Sequence, residues 1–187
     1  MSQILHKNLT LEQFLRLPEA KPALEYLQGK VVQKVSPKTT HSVLQTRLVL
    51  RIAEHAIPHG LDLPYIELRC TIGGESIVPD LCVFARGRIP EDKHGQLVED
   101  VFLPPDLAIE ILSPGQTVRN LGAKLSRCVL HGVRLAWLIQ PKLRRVFVVR
   151  PGRPIETLES GGILEGEDVL PGFSLPLSEM FGWLVRR

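Results

Sequence analysis

The stretch that decides the fold is PDLAIEILSP, residues 105–114, an apolar run that prolines delimit and a glutamate interrupts. A run that is apolar on both faces is typical of a strand in the centre of a covered sheet. Because side chains alternate along a strand, Leu107, Ile109 and Ile111 share one face and Glu110 points to the other. Glu110 therefore faces whatever element covers that second side.

A second run of the same kind, IVPDLCVF (residues 77–84), carries Asp80 directly after a proline. An ionised carboxylate that is buried without a partner is strongly unfavourable, so each acid must be protonated, paired or bound to a cation. If the two strands are neighbours, one divalent ion between Asp80 and Glu110 satisfies both, and Mg²⁺ suits such oxygen ligands. Lys124, on the helix that follows the Glu110 strand, is then placed to orient or deprotonate a water and to hold a phosphate.

Structural explanations of the same residues stay open on spacing alone. An aspartate at a strand end often caps a turn, and a glutamate in a strand can pair with an arginine. A helical lysine usually extends its charge to solvent. Asp80, Glu110 and Lys124 are thus candidates, which the pattern by itself does not separate from ordinary structural residues.

The rest of the chain predicts an α/β domain, a mixed sheet with helices packed against it. Helical spacing predicts a short helix after Thr10, where Gln13 completes a capping box, and longer helices from Thr40 to before Pro58 and from Val118 to Gly132. Strands are predicted in LEYLQGKVVQKVSP, turning at Gln28-Gly29, and in PYIELRCTI, IVPDLCVFA, PDLAIEILSP, RLAWLIQ and RRVFVVR. The polar segment from Arg86 to Pro104 is predicted to be a loop.

Composition bounds the class of protein. The 187 residues, 44% of them hydrophobic, suit one domain spanning 1–187 with a Pro/Gly-rich tail from Pro151. No run suggests a signal peptide or a membrane span, which predicts a soluble, cytoplasmic protein. Three cysteines without metal-site spacing are expected to be packed thiols. A net charge of +3 permits an anionic partner but does not establish one.

These motifs, taken in order, carry a resemblance to a known family. The segments VPDLCVF and PDLAIEILSP, then a helix with Lys124 followed by HGV and AWLI, resemble the Uma-two family of predicted restriction endonucleases. That family lies within the PD-(D/E)XK nuclease superfamily. The opening LTLEQFLRLPE, a glutamate before Gly29 in LEYLQGKVV, and SPKTTH are also similar. The likeness covers a core of about residues 9–150.

The resemblance implies a restriction-endonuclease-like core in which Asp80 and Glu110 hold Mg²⁺ or Mn²⁺. The superfamily usually places its lysine two residues after the second acid, where this chain has Leu112. The family instead places a lysine on the following helix, which Lys124 matches. Glu25 and His41 match two further polar positions, which would support the metal or the substrate. The implied activity is metal-dependent hydrolysis of phosphodiester bonds in nucleic acid, with DNA favoured.

Four positions depart from the family pattern. Family members commonly show aspartate at Asn120 and Gln140, tyrosine at Cys128 and an acid at Gln28. Polar groups around a metal site orient its ligands. The alternative function is therefore a catalytically reduced module on the same fold, which binds nucleic acid or regulates.

Other side chains complete the sequence-based expectations. The basic residues expected to contact the nucleic-acid backbone are Arg119, Arg127, Lys142 and Arg144. Trp137 and Phe147 are expected in the core. A cluster in the tail could form a homodimer contact or pack on the domain itself, the favoured alternative; it comprises Leu175, Leu177, Met180, Phe181 and Trp183.

Overall fold

Two sheets and a C-terminal hairpin organise the protein in a computed structural model, which describes residues 4–7, 9–60 and 63–185. The helices are α1 (Leu11–Leu15), α2 (Thr39–Ala56), α3 (Val118–Leu130) and α4 (Leu177–Gly182). The strands are β1 (Ile4–Lys7), β2 (Leu24–Leu27), β3 (Lys30–Gln33), β4 (Tyr65–Ile66), β5 (Cys70–Ile72), β6 (Glu75–Ile77), β7 (Leu81–Val83), β8 (Leu107–Ile111), β9 (Leu135–Gln140), β10 (Arg145–Val149), β11 (Glu156–Leu158), β12 (Ile163–Glu165) and β13 (Ser174–Pro176).

The central sheet has the strand order β11-β10-β9-β8-β7-β4. Its strands pair antiparallel except for β8 and β9, which run parallel. The parallel pair is joined through α3, as a parallel connection requires. A mixed sheet flanked by helices, the fold class that the sequence predicts, is therefore confirmed.

Each face of this sheet has its own core. Leu107, Ile109 and Ile111 pack with α2 and the C-terminal segment on one side. Ala108 packs on the opposite side with Leu125 and the other apolar side chains of α3. The predicted alternation along β8 is confirmed, and Glu110 points toward α3, from which Lys124 contacts it.

Two predicted strands are each divided between two sheets. The run IVPDLCVFA was expected to be one strand, but β6 belongs to a second sheet, ordered β1-β3-β2-β6-β5, and β7 to the central one. PYIELRCTI is divided in the same way, into β4 and β5, with Glu67 between them at a φ of +50°. Asp80 thus lies at the crossover between the two sheets, because β6 ends at Ile77 and β7 begins at Leu81.

Other local predictions agree with the structure. Thr10 and Gln13 form the capping box of α1. The β2–β3 hairpin turns at Gln28 and Gly29, which both have positive φ as a tight hairpin of this kind requires. Gly132, at a φ of +104°, follows the end of α3. The three cysteines are free and buried.

The C-terminal segment belongs to the core of the domain. Leu175, Leu177, Met180 and Phe181 are buried against the face that α2 covers, and Trp183 packs at its margin. These side chains therefore pack on the domain itself, which is the alternative that the sequence favours over a dimer contact. Trp137 is fully buried against Phe173, and Phe147 is half-buried beside the opposite core. None of the described helices is long and apolar enough to cross a membrane.

Candidate active site

The predicted acids meet where the two strands that carry them lie side by side. β7 and β8 pair antiparallel with Leu81 opposite Ile109, so Asp80 and Glu110 are the next opposed positions. Asp80 and Glu110 are both buried, with exposed fractions of 2% each. The expectation that the two strands are neighbours is therefore confirmed, and the acids lie in one charged cluster.

Backbone and side-chain contacts fix the Asp80 carboxylate. Its Oδ2 accepts a hydrogen bond from the Ile111 backbone N–H at 2.7 Å, and Nε2 of His41 lies 3.5 Å from the same oxygen. Its Oδ1 lies 2.6 Å from the Nζ of Lys34. The Gln45 side chain donates to the Asp80 carbonyl oxygen at 2.9 Å. Although burial raises the pKa of Asp80, the charges of Lys34 and His41 outweigh that effect and hold it below its usual value.

Lys124 lies between two glutamates. Its Nζ is 2.5 Å from Oε1 of Glu110 and 2.5 Å from Oε1 of Glu25. Glu25 accepts a further hydrogen bond from the Val78 backbone N–H at 2.7 Å. These contacts bring together Glu25 on β2, Glu110 on β8 and Lys124 on α3, so the cluster joins both sheets and a helix.

The cluster divides its charge unequally. Burial raises the pKa of Glu110 to about 7, against the opposing attraction of Lys124. Burial alone would lower the pKa of Lys124, but the Glu110 and Glu25 carboxylates outweigh it and raise that pKa above its ordinary value. Lys124 therefore stays protonated at neutral pH, whereas Glu110 ionises near neutrality.

A cleft of about 910 Å³ opens beside this cluster, at the ends of β8 and β9. Ligands of α/β proteins commonly bind at the carboxyl ends of parallel strands. His41 lines the cleft and connects it to the acids, because its Nδ1 lies 3.0 Å from the Ser113 hydroxyl and its Nε2 faces Asp80. The lining includes three basic side chains and no acidic one: Lys38, Lys142 and Arg144.

The predicted basic contacts and the departures from the family pattern fall in different places. Lys142, Arg144 and Gln140 line the cleft. Arg127 is engaged elsewhere, with its Nε 2.9 Å from Oε1 of Glu75. Arg119, Asn120 and Gln28 are exposed outside the cleft lining. Cys128 is buried near Lys124, and burial raises its thiol pKa to about 12.

Sequence reasoning missed Lys34 and Ser113. Lys34 follows β3 in a segment of mixed polarity, and its partner Asp80 lies 46 positions further along the chain. Ser113 belongs to the run PDLAIEILSP, in which its only recognisable feature is that it precedes a proline. Neither has a periodic signal; the one available clue was that two buried acids need more positive charge than Lys124 alone provides.

The two buried acids are the side chains whose chemistry can be compared with the ligands of Mg²⁺ or Mn²⁺. Asp80 and Glu110 supply hard carboxylate oxygens, which these ions prefer. Among the described residues no group of three or more His, Cys, Asp or Glu side chains converges in metal-binding geometry. Two carboxylates fit an ion that keeps several waters, and one oxygen of each is paired with a lysine ammonium.

The mixed central sheet with its flanking helices defines the class, a restriction-endonuclease-like domain. The chain belongs to the Uma2 family, whose model, described as "Putative restriction endonuclease", matches residues 11–178. That match continues into the C-terminal segment and ends at Ser178, beyond the core of about residues 9–150 that the sequence resemblance covers.

A solved structure agrees with this assignment. It is a protein of Anabaena variabilis described as "a putative nuclease belonging to DUF820", 36% identical, and the similarity covers 95% of this chain and 99% of the other. The TM-score between the two is 0.91. A search of curated proteins finds no match.

Proposed function

We propose that this protein is a metal-dependent endonuclease that hydrolyses phosphodiester bonds of nucleic acid, with DNA as the favoured substrate. The observation that carries the proposal is the convergence of Asp80, Glu110 and Lys124 beside a cleft whose charged lining residues are basic. Membership of a family described as "Putative restriction endonuclease" and the similarity to a protein described as "a putative nuclease" support the same activity.

Asp80 and Glu110 are the residues that would hold Mg²⁺ or Mn²⁺. Such an ion, when bound, lowers the pKa of a coordinated water and stabilises negative charge on a phosphate. The Ile111 N–H and Gln45 keep the Asp80 segment in place. His41 steadies Asp80 from the cleft side through its contact with Ser113. The protein's own contribution is thus a pair of buried carboxylates, of which Asp80 is linked to the cleft through His41.

Lys124 acts as a fixed positive charge. An ammonium group has three N–H donors, and two of them are directed at Glu25 and Glu110, which leaves one for a water or a phosphate oxygen. The Glu110 and Glu25 carboxylates raise its pKa against burial, which favours orienting a water or a phosphate over accepting the proton of the attacking water. Of the two actions that the sequence analysis gives Lys124, orienting or deprotonating a water, orienting is therefore favoured.

The cleft gives the nucleic acid a place to bind. Lys38, Lys142 and Arg144 can contact successive phosphates, which are the sequence-independent part of nucleic-acid binding. Gln140, where family members commonly show aspartate, adds no negative charge to this lining. A polyanion is therefore the favoured occupant.

The test is a cleavage assay on the full chain. Single-stranded, double-stranded and supercoiled DNA, and RNA, are incubated with the protein and Mg²⁺ or Mn²⁺, and in parallel with a chelator. Cleavage is expected with metal only, and Asp80→Asn should lower it by at least about 100-fold because oriented charge at the reacting phosphate is lost. Asp106→Asn is the matched control, since Asp106 is also buried but contacts Arg88 and Arg134 instead. Uncut substrates under all these conditions would reject the proposal.

The alternative is a non-catalytic module that binds nucleic acid. It is favoured by one observation, the pairing of Asp80 with Lys34 and of Glu110 with Lys124, which balances the acids without any metal. This alternative predicts retention of DNA that weakens with salt and is unchanged by chelator. A homodimer also stays a prediction, which the mass of the protein in solution tests.

A further inference from the structure

Lys34 is paired with Asp80, one of the two acids of the proposed metal site. Its Nζ lies 2.6 Å from Oδ1 of Asp80 and donates to the Val78 carbonyl oxygen at 2.8 Å. The side chain of Lys34 is only 8% exposed. A lysine ammonium buried on a carboxylate of a candidate metal centre is more than a surface charge, because it neutralises the oxygen that the ion needs.

The charges of the cluster assign Lys34 to one carboxylate, that of Asp80. Three buried carboxylates, Glu25, Asp80 and Glu110, face two ammonium groups. Lys124 serves both glutamates, which leaves Lys34 as the lysine that pairs with Asp80.

We propose that Lys34 is a built-in competitor of the divalent ion, whose ammonium holds the cation position at Asp80 until an ion displaces it. The inference rests on the proposed function, since it concerns the metal site of that same centre. The other oxygen, Oδ2, accepts the Ile111 N–H and lies 3.5 Å from Nε2 of His41, which leaves Oδ1 as the oxygen at which Lys34 and the ion compete. Two cations in a buried site also repel each other strongly.

The local structure allows this exchange. The backbone N–H of Lys34 is bound to the Ala23 carbonyl oxygen at 2.9 Å, so the chain position stays fixed while the side chain moves. A lysine stem of four carbons rotates freely enough to carry its charge away. Residues 36–40 are exposed and lead toward the cleft, which provides solvent for the released ammonium.

The first test measures metal affinity and needs no cleavage. Mn²⁺ binding is followed by titration calorimetry on the full chain, as wild type, Lys34→Met and Lys30→Met. Lys30 is the matched control, because it is an exposed lysine on β3 whose replacement removes the same charge. Lys34→Met is expected to bind Mn²⁺ at least about tenfold more tightly than the wild type. Lys30→Met should stay within about twofold of it.

The outcomes separate the two proposals. If the wild type binds Mn²⁺ and Lys34→Met binds it equally or more weakly, the competition is overturned and the proposed metal centre is retained. An absence of binding by both proteins overturns the competition together with metal dependence. Binding by Lys34→Met alone, or tighter binding by it, supports the competition.

A second measurement on the wild type covers the case in which Lys34→Met does not fold. Lysine acylation by a succinimidyl ester is followed by mass spectrometry with and without Mn²⁺. Displacement predicts that modification of Lys34 rises severalfold when Mn²⁺ is present, while that of Lys30 does not change. An equal rate at Lys34 in both conditions overturns the inference.

Discussion

Asp106 and Glu110 lie at opposite ends of the same strand, and each is a buried acid with a different kind of partner. Asp106, just before β8, accepts the Ala85 N–H at 2.7 Å and is paired with two arginines, Arg88 and Arg134, at 2.6 and 3.1 Å. Glu110 is paired with one lysine, whose side chain is 3% exposed. The arginines at Asp106 are 34% and 42% exposed.

The difference distinguishes an acid that holds the fold from one suited to chemistry. Arginine presents a planar fork that satisfies several lone pairs, and at the rim of the sheet its charge stays solvated. Lysine is a point charge that can keep a donor free for a ligand. The Asp106 carboxylate is therefore held by structural partners. Glu110, in contrast, has a carboxyl group whose pKa is raised to about 7.

The largest effect on stability is expected from Lys124→Met. It leaves Glu25 and Glu110 buried without their shared cation, and breaking a buried ion pair from one side costs about 3–5 kcal/mol. Urea unfolding at pH 7.5 measures the loss. A loss below about 1 kcal/mol would mean that solvent reaches the pair and that Lys124 is not the internal cation described above.

Asp106→Asn should have the next largest effect on stability. It removes the charge from a carboxylate that backbone and arginines surround, at a cost of about 1.5–3 kcal/mol for hydrogen bonds to charged groups. Cleavage per folded molecule is expected to stay at the wild-type value. A fall in that cleavage parallel to Asp80→Asn would remove the distinction between the two ends of β8.

The two acids should also respond to pH with opposite sign. The arginine and backbone partners hold the pKa of Asp106 below its usual value against burial, so its stabilisation is present above the ordinary pKa and is lost as the pH falls through the lowered one. The pKa of Glu110 is raised to about 7, so its contribution is present at low pH and is lost as the pH rises through about 7. Comparing the free energy of unfolding of wild type with Asp106→Asn and Glu110→Gln from pH 3 to 9 measures both. Equal slopes for the two variants would contradict this prediction.

The smallest effects are expected in the cleft. Lys142→Ala and Arg144→Gly should each weaken DNA binding and lower the slope of log affinity against log salt by about 1. Glycine is used at Arg144 because that residue has a φ of +48°, which a glycine adopts without strain. Arg119→Ala, outside the cleft lining, is the control and should leave the slope unchanged. An equal fall for Arg119→Ala would place the contact surface elsewhere.

Much of the site could be predicted because it depends on local periodicity. Alternation along PDLAIEILSP places Glu110 on the face opposite Ile109, and helical spacing brings Lys124 to the same face. Helix and hairpin ends followed from capping and turn residues such as Thr10 and Gly29.

What could not be predicted depends on contacts between distant segments. The run around Pro79 is apolar throughout, so nothing local marks the change from one sheet to the other. Lys34 meets Asp80 only after both sheets have formed, and Arg127 is engaged by Glu75, 52 positions away. Long-range pairing of charges has no sequence period, and for this reason the sequence could not assign these partners.

The crossover at Val78 determines when the charged cluster is assembled during folding. The Val78 N–H donates to Glu25, and its carbonyl oxygen accepts from Lys34. The next residues lead into β7, which pairs with the strand that carries Glu110. The centre is therefore assembled from both sheets at one seam. In a partly folded chain with only the central sheet formed, Asp80 and Glu110 would be opposed across β7 and β8, but Glu25 and Lys34, which the second sheet positions, would be missing. The cluster of Glu25, Lys34, Asp80, Glu110 and Lys124 would then be complete only when both sheets and α3 have formed.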